Sequence, residues 1–239
     1  MNRRDFLIRC GVVGGLAAAG LTELPATGKS EEVPLKAPAG RPNTVILLAD
    51  DLGNADVSFN KGEISTPNID RIAQEGVKIE NFYACSVCSP TRAGLLTGRW
   101  PIRFGCMASA IPPWRDRGLP QSEDTIAKLA ERAGYARRGI LGKWHLGHSR
   151  EEFLPTSHGF TYFYGHYNGA VNYFDHTFLG GLDWHRDTPK KRMLIKEEGY
   201  TTDLIAKEAV DFIKTSAKDT EPFLLYVPFN APHSPFQAK

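Results

Sequence analysis

The chain has 239 residues, of which 41% are hydrophobic and 23% charged, a balance that excludes disordered, collagen-like and disulfide-dense classes. Its length corresponds to about 1.6 typical domains, so one large domain, or one domain with an appendage, is expected. The formal charge of +2 leaves no electrostatic footprint for a nucleic acid, and four cysteines are too few for a disulfide scaffold.

Asn2-Arg3-Arg4-Asp5-Phe6-Leu7, followed by the weakly apolar residues 10–21, resembles a twin-arginine signal peptide. A run of about 20 strongly apolar residues is needed to cross a bilayer. This one is short, rich in Gly and Ala and broken by Thr22-Glu23, so no stable membrane span is expected. Arg9 precedes Cys10 where lipidation calls for a small residue, and cleavage sites follow Ala19 or Ala26. The resemblance implies passage of a folded chain through the twin-arginine export machinery to a periplasmic or secreted location, with any active-site modification made beforehand in the cytoplasm. The expected organisation is a signal peptide over 1–26, a Pro-rich linker over 27–42 with Pro34, Pro38 and Pro42, and a catalytic domain over 43–239.

Thr44-Val45-Ile46-Leu47-Leu48-Ala49 is a continuous apolar run of strand length that ends in Asp50-Asp51-Leu52-Gly53 and suits a strand covered on both faces. Thr66-Pro67 opens a helix over 68–75 closed by Gly76, and 77–83 is the next expected strand. Ser122 is the expected cap of a helix whose first turn holds Glu123 and Asp124; Gly134 ends it before a strand over 136–141. A helix over 202–213 carries Leu204, Ile205, Ala209, Phe212 and Ile213 on one side and precedes a strand over 223–227. The aromatic-rich span 151–192 shows weak periodicity and reads as loops with short elements. Three helix–strand alternations predict an α/β fold with a mostly parallel sheet flanked by helices. Ligands of such sheets gather beyond the carboxyl ends of the strands, where Asp50-Asp51, Gly142-Lys143-Trp144-His145 and Ala231-Pro232-His233 stand.

Adjacent carboxylates repel each other, which a hard divalent cation relieves; Asp50-Asp51 therefore reads as a cation site or as a loop cap. Cys85-Ser86-Val87-Cys88 has the spacing of a redox or zinc hook but lacks a second ligand pair at suitable spacing. Lys143 and His145 fall on one side of an extended segment, facing an anion or solvent, and His233 lies in backbone restricted by Pro232 and Pro235.

Cys88-Ser89-Pro90-Thr91-Arg92-Ala93-Gly94-Leu95-Leu96-Thr97-Gly98-Arg99 resembles the signature of the sulfatase family, in which Cys-x-Pro-x-Arg opens a segment ending in Leu-Thr-Gly-Arg. The similarity extends over 43–53, Thr66-Pro67-Asn68-Ile69-Asp70, 142–147, His158-Gly159-Phe160, 200–213 and Ala231-Pro232-His233, in the family's order. The resemblance implies an alkaline phosphatase/sulfatase-like fold and a sulfuric ester hydrolase. Cys88 would be oxidised to formylglycine by the formylglycine-generating enzyme. One hydroxyl of its hydrate attacks sulfur, and the second loses its proton so that the aldehyde reforms and sulfate leaves. It also implies a Ca²⁺ ion on Asp50, Asp51 and modified Cys88, and Arg92 donating to the modified side chain from the same helical face. Lys143 and His233 would meet sulfate and leaving-group oxygens, and His145 would take the proton from the second hydroxyl. The substrate class is a small-molecule or carbohydrate sulfate ester.

Two departures from the family pattern stand out. Family members complete the metal and sulfate site with an Asp-Asn pair and a lysine well downstream of the histidine matching His233, and only Ser234-Pro235-Phe236-Gln237-Ala238-Lys239 follow here. Ca²⁺ takes about 6–8 oxygens, so water or a second chain would make up the set. The expectation is an amino-terminal portion of the domain with weak or no turnover and a tendency to aggregate. Thr161 stands where the family often has Asp, a change expected to affect local structure more than chemistry. Competing readings are a phosphoesterase or phosphonate hydrolase of the same superfamily, a non-catalytic sulfatase-like fragment, and thiol redox chemistry at Cys85 and Cys88.

Overall fold

The computed structural model describes residues 40–106 and 109–239; the signal peptide and the linker before Gly40 lie outside them. In chain order the regular elements are β1 (Thr44–Asp50), α1 (Pro67–Glu75), α2 (Cys88–Thr97), α3 (Ile126–Arg132), β2 (Arg137–Lys143), β3 (Tyr162–His166), β4 (Thr177–Phe178), β5 (Gly181–Leu182), β6 (His185–Asp187), α4 (Thr201–Ser216) and β7 (Phe223–Pro232), with short 3₁₀ turns between them. Five strands form one sheet in the order β1-β7-β2-β3-β6. β1 runs parallel to β7, β7 to β2 and β2 to β3, while β6 is antiparallel to β3. The expected α/β sheet with helices is what the chain forms. No helix among the described residues is long and apolar enough to cross a membrane.

The side-chain period of two divides each central strand between two cores. Leu224 and Tyr226 of β7, Ile140 of β2 and Phe163 of β3 pack with Ala93 and Leu96 of α2 and Ala127 and Ala130 of α3. Leu225 and Val227, Leu141 and Tyr164 face the other way, onto Ile205 and Ala209 of α4 and Trp184. β1 ends the sheet; Ile46 and Leu48 lean on the first core, while Val45 and Leu47 stay exposed. The register sets Asp50 opposite Pro232 and Lys143 opposite His166, so the ends of β1, β7, β2 and β3 lie at one sheet edge.

Several elements differ from expectation. Residues 77–83 form no strand: Val77, Ile79, Phe82 and Tyr83 are exposed, and strand-like composition without a sheet neighbour does not make a strand. α3 starts at Ile126, not at Ser122; its cap is Thr125, whose Oγ1 accepts from Lys128 N at 3.2 Å. Glu123 is buried against Arg99, whose Nη1 lies 2.7 and 2.6 Å from its two carboxylate oxygens. The span 151–192 contributes β3 and β6 to the main sheet as well as loops. Cys85, Cys88 and Cys106 are all free thiols, so the Cys-x-x-Cys spacing makes no disulfide here. Thr161 binds β2 locally, its N donating to Arg138 O at 2.8 Å and its Oγ1 accepting from Arg138 N at 3.0 Å.

Candidate active site

The sheet edge delivers the sequence-predicted residues by three routes. Asp50 is the last residue of β1 and Lys143 the last of β2. Cys88 is the first residue of α2, which ends at Gly98 in the left-handed region (φ +64°). Gly142, at φ +128°, turns the end of β2; a Cβ there would stand 2.1 Å from Pro228 O, so only glycine permits β7 to approach so closely. His145 follows at φ +54°, and His233 comes just after β7.

Arg92, Lys143 and Asp50 form a buried charged knot. Arg92 Nη2 lies 3.3 Å from Asp50 Oδ2, and the Lys143 ammonium donates to the same oxygen. Arg92 Nη1 also donates to Lys143 O at 2.8 Å. Burial pulls the lysine's pKa down and the Arg92 charge adds to this, with Asp50 acting against both. Arg92, one helical turn after Cys88, ties the end of β1 to the end of β2 through Asp50 Oδ2 and Lys143 O.

Cys88 Sγ lies 3.1 Å from His145 Nδ1. The other ring nitrogen, Nε2, is 3.1 Å from Ile111 O; a carbonyl only accepts, so Nε2 carries the proton and the Nδ1 lone pair faces residue 88. Burial, then the Lys143 and Arg92 charges, then His166, push the His145 pKa down to about 2. The imidazole is therefore neutral at physiological pH, with one acceptor atom turned to the reactive position. Ser89 holds the arrangement: its Oγ donates to His145 O at 2.8 Å and accepts from Ile111 N at 3.0 Å. Gly169 covers the imidazole, since a Cβ there would lie 2.4 Å from His145 Cε1. Ser89→Ala leaves a buried carbonyl and a buried N–H without this partner, and a loss of about 1–3 kcal/mol is expected; a urea midpoint that matches the parent chain would contradict the bridging role.

Asp51 and His233 occupy the open side. Asp51 adopts φ +64°, its carboxylate is exposed, and His233 Nε2 stands 3.8 Å from Asp51 Oδ2. The His233 loop is pinned by Tyr173, whose OH lies 3.1 Å from Asn230 O and 2.8 Å from His233 O. The side chain of Asn230 is buried, with neither Oδ1 nor Nδ2 partnered.

For a hard cation the donors at this edge are suitable in kind: carboxylates on Asp50 and Asp51, and the unpartnered amide oxygen of Asn230. They fall short in number, because one Asp50 oxygen already accepts from two cations. No group of three or more His, Cys, Asp or Glu residues gathers as a metal site among the described residues. Sequence reading brought Asp50, Asp51, Cys88, Arg92, Lys143, His145 and His233 to one edge. It missed Ser89, which lay inside the signature as an uncommented small residue, and Asn230, whose place before Ala231-Pro232-His233 was its only signal.

The signature and this geometry agree with a comparison against protein families, in which the Sulfatase model matches residues 42–239. The chain belongs to the sulfatase family. It is 39% identical over 215 residues to the N-acetylgalactosamine-6-sulfatase of Mus musculus, a match covering 82% of this chain and 41% of that protein. It is 34% identical over 203 residues to Arylsulfatase J of Mus musculus, covering 83% and 33%. Among solved structures, Ps i-CgsB in complex with k-i-k-neocarrahexaose superposes with a TM-score of 0.74 at 34% identity, covering 83% of this chain and 47% of that one. This sulfatase-family chain thus spans less than half the length of each of these proteins.

Proposed function

We propose that the chain carries the nucleophile half of a sulfatase active site and acts on sulfate monoesters of carbohydrates. The contact between Cys88 Sγ and the neutral, Nδ1-accepting His145, set beside a buried Asp50–Arg92–Lys143 knot, carries this reading. Formylglycine at position 88 would supply a hydrated aldehyde with two hydroxyls, and Ca²⁺ on Asp50 and Asp51 would supply positive charge toward that group and the sulfate oxygens. His145 Nδ1 is placed to accept a proton from a hydroxyl on residue 88, its Nε2–H held by Ile111 O so that the tautomer is fixed. The Lys143 ammonium and Arg92 guanidinium, oriented by Asp50, would offer positive charge to the sulfate group. His233, on the open side, would give a proton to the departing alkoxide. The carbohydrate class is supported by the relatives' names, an N-acetylgalactosamine-6-sulfatase and a protein crystallised with neocarrahexaose. Paired assays with a sulfate ester and the matching phosphate ester, after co-expression with a formylglycine-generating enzyme and with Ca²⁺ present, test the reading. Turnover of the sulfate ester above the phosphate ester is expected; a preference for phosphate would overturn it in favour of a phosphoesterase.

A further inference from the structure

The loop that carries His233 after β7 is tied down at both ends, and one residue takes part in both ties. Tyr173, buried in the turn between β3 and β4, has a partner for its N–H, its carbonyl and its hydroxyl. The hydroxyl lies 2.8 Å from His233 O and 3.1 Å from Asn230 O. His233 N already donates to Asn230 O at 3.0 Å, so the single hydroxyl proton goes to His233 O, the nearer carbonyl. Burial pushes the phenol pKa up to about 12, and the hydroxyl stays a donor. At the far end of the loop Tyr173 N donates to Gln237 Oε1 at 2.8 Å, while Gln237 O accepts from Tyr200 OH at 3.0 Å.

Both ties lead back to α4. Its first residue, Thr201, donates from N to Tyr173 O at 2.8 Å, and the Tyr173 ring stacks on that of Tyr200, just before the helix, at 5.4 Å between centroids. α4 packs on β7 through Ile205 and Ala209, so Tyr173 is held by the core and not by the loop alone. The imidazole of His233 is oriented too. Its Nδ1 lies 2.6 Å from Ser234 O, and a carbonyl only accepts, so Nδ1 carries a proton. Nε2 is then the ring nitrogen left to face Asp51 Oδ2, 3.8 Å away. His145 shows the reverse arrangement, with Nε2–H held by Ile111 O and Nδ1 turned to residue 88.

We propose that Tyr173 is the positioning residue of His233: its hydroxyl holds the His233 carbonyl and so keeps the imidazole Nε2 beside Asp51. The inference deepens the sulfatase reading and rests on it only for what His233 does to the leaving group. Position is read by NMR on the whole isotope-labelled chain, at one pH and with a chelator, from the Cε1–H resonance of His233, identified by its loss in His233→Gln. Asp51→Asn should shift this resonance in the parent chain. In Tyr173→Phe the same Asp51→Asn change should shift it about 3-fold less, while the resonances of His148 and His158 stay in place. Gln237→Ala, which keeps the hydroxyl and removes the second tie, should weaken the coupling in the same direction, and it decides alone if Tyr173→Phe does not fold. No Asp51→Asn shift in the parent chain, a shift of equal size in the variants, or movement of His148 and His158 along with His233 would overturn the positioning role. The leaving-group step is read separately, on the formylglycine-bearing chain with Ca²⁺, as the ratio of phenyl sulfate to para-nitrophenyl sulfate hydrolysis, because phenoxide needs a proton more than nitrophenoxide does. Tyr173→Phe should lower that ratio about 10-fold. Coupling lost with an unchanged ratio would leave the positioning role standing and defeat proton donation by His233.

Discussion

Cys88→Ala is expected to bring the sulfate-ester turnover of the parent chain, weak as it is, down to the uncatalysed background, since it removes the nucleophile. The change should cost little stability, because Cys88 is the first residue of α2 and only partly buried, so no large cavity opens. What disappears is the atom 3.1 Å from His145 Nδ1. The matching chemical result is that Cys88, alone among Cys85, Cys88 and Cys106, loses its sulfur and gains a carbonyl after co-expression with a formylglycine-generating enzyme. Only Cys88 is followed by proline and arginine at the required positions, Pro90 and Arg92. Cys106, by contrast, is buried and its thiol pKa is raised by that burial, which leaves it poorly reactive. Peptide mass spectrometry reads the outcome directly. A thiol at position 88 under those conditions, or undiminished turnover in Cys88→Ala, would remove residue 88 from the mechanism.

The parts of this molecule that were legible in its sequence are those whose chemistry is written along one strand or one helix. β7 announces itself because residues buried on both faces leave an unbroken apolar run. β1 carries the same run, yet ends the sheet with Val45 and Leu47 exposed. Residues 77–83 have similar side chains and form no strand, since pairing depends on a neighbour that local composition does not reveal. β3 was hidden for the opposite reason: Tyr162-Phe163-Tyr164-Gly165-His166 reads as an aromatic loop, although it is hydrogen-bonded between β2 and β6. The candidate site residues were legible because the Cys88–Arg99 segment resembles the sulfatase signature and because Asp50-Asp51, Lys143, His145 and His233 follow predicted strands, where parallel sheets gather ligands. The contact between Tyr173 and His233 could not be found that way. Its members are 60 residues apart in sequence, with neither periodicity nor a fixed spacing to mark them.

Acid should unfold this chain well before its carboxylates titrate, and buried histidines are the cause. Burial, followed by the Lys143 and Arg92 charges, lowers His145 to about 2. Burial and the Lys128 charge lower His158 to about 4. Burial also lowers His166 to about 3, with Asp183 opposing and Lys143 and Arg92 assisting. Each folded-state pKa lies below the unfolded value of about 6.5, so between 6.5 and the folded value the unfolded chain binds a proton that the native chain does not. Stability is then full above pH 6.5 and falls as pH drops, by up to about 1.4 kcal/mol per unit for each such histidine. His158 alone contributes on the order of 3 kcal/mol by pH 4 on that slope, a large share of the roughly 5–15 kcal/mol that holds a domain together. Asp183 is held well below the usual carboxylate range, its hydrogen bonds outweighing the upward effect of burial. Its contribution is therefore lost only below about pH 4, which leaves the window from 6.5 to 4 to the histidines. Urea midpoints at pH 7.5, 6.0 and 5.0, taken with a chelator so that cation binding does not intervene, should fall steadily. His158→Leu, which removes one titrating group from a buried site, should flatten the slope by about 1.4 kcal/mol per unit. Midpoints that stay level from pH 7.5 to 5.0 would mean that these imidazoles gain their protons without unfolding the sheet edge they occupy.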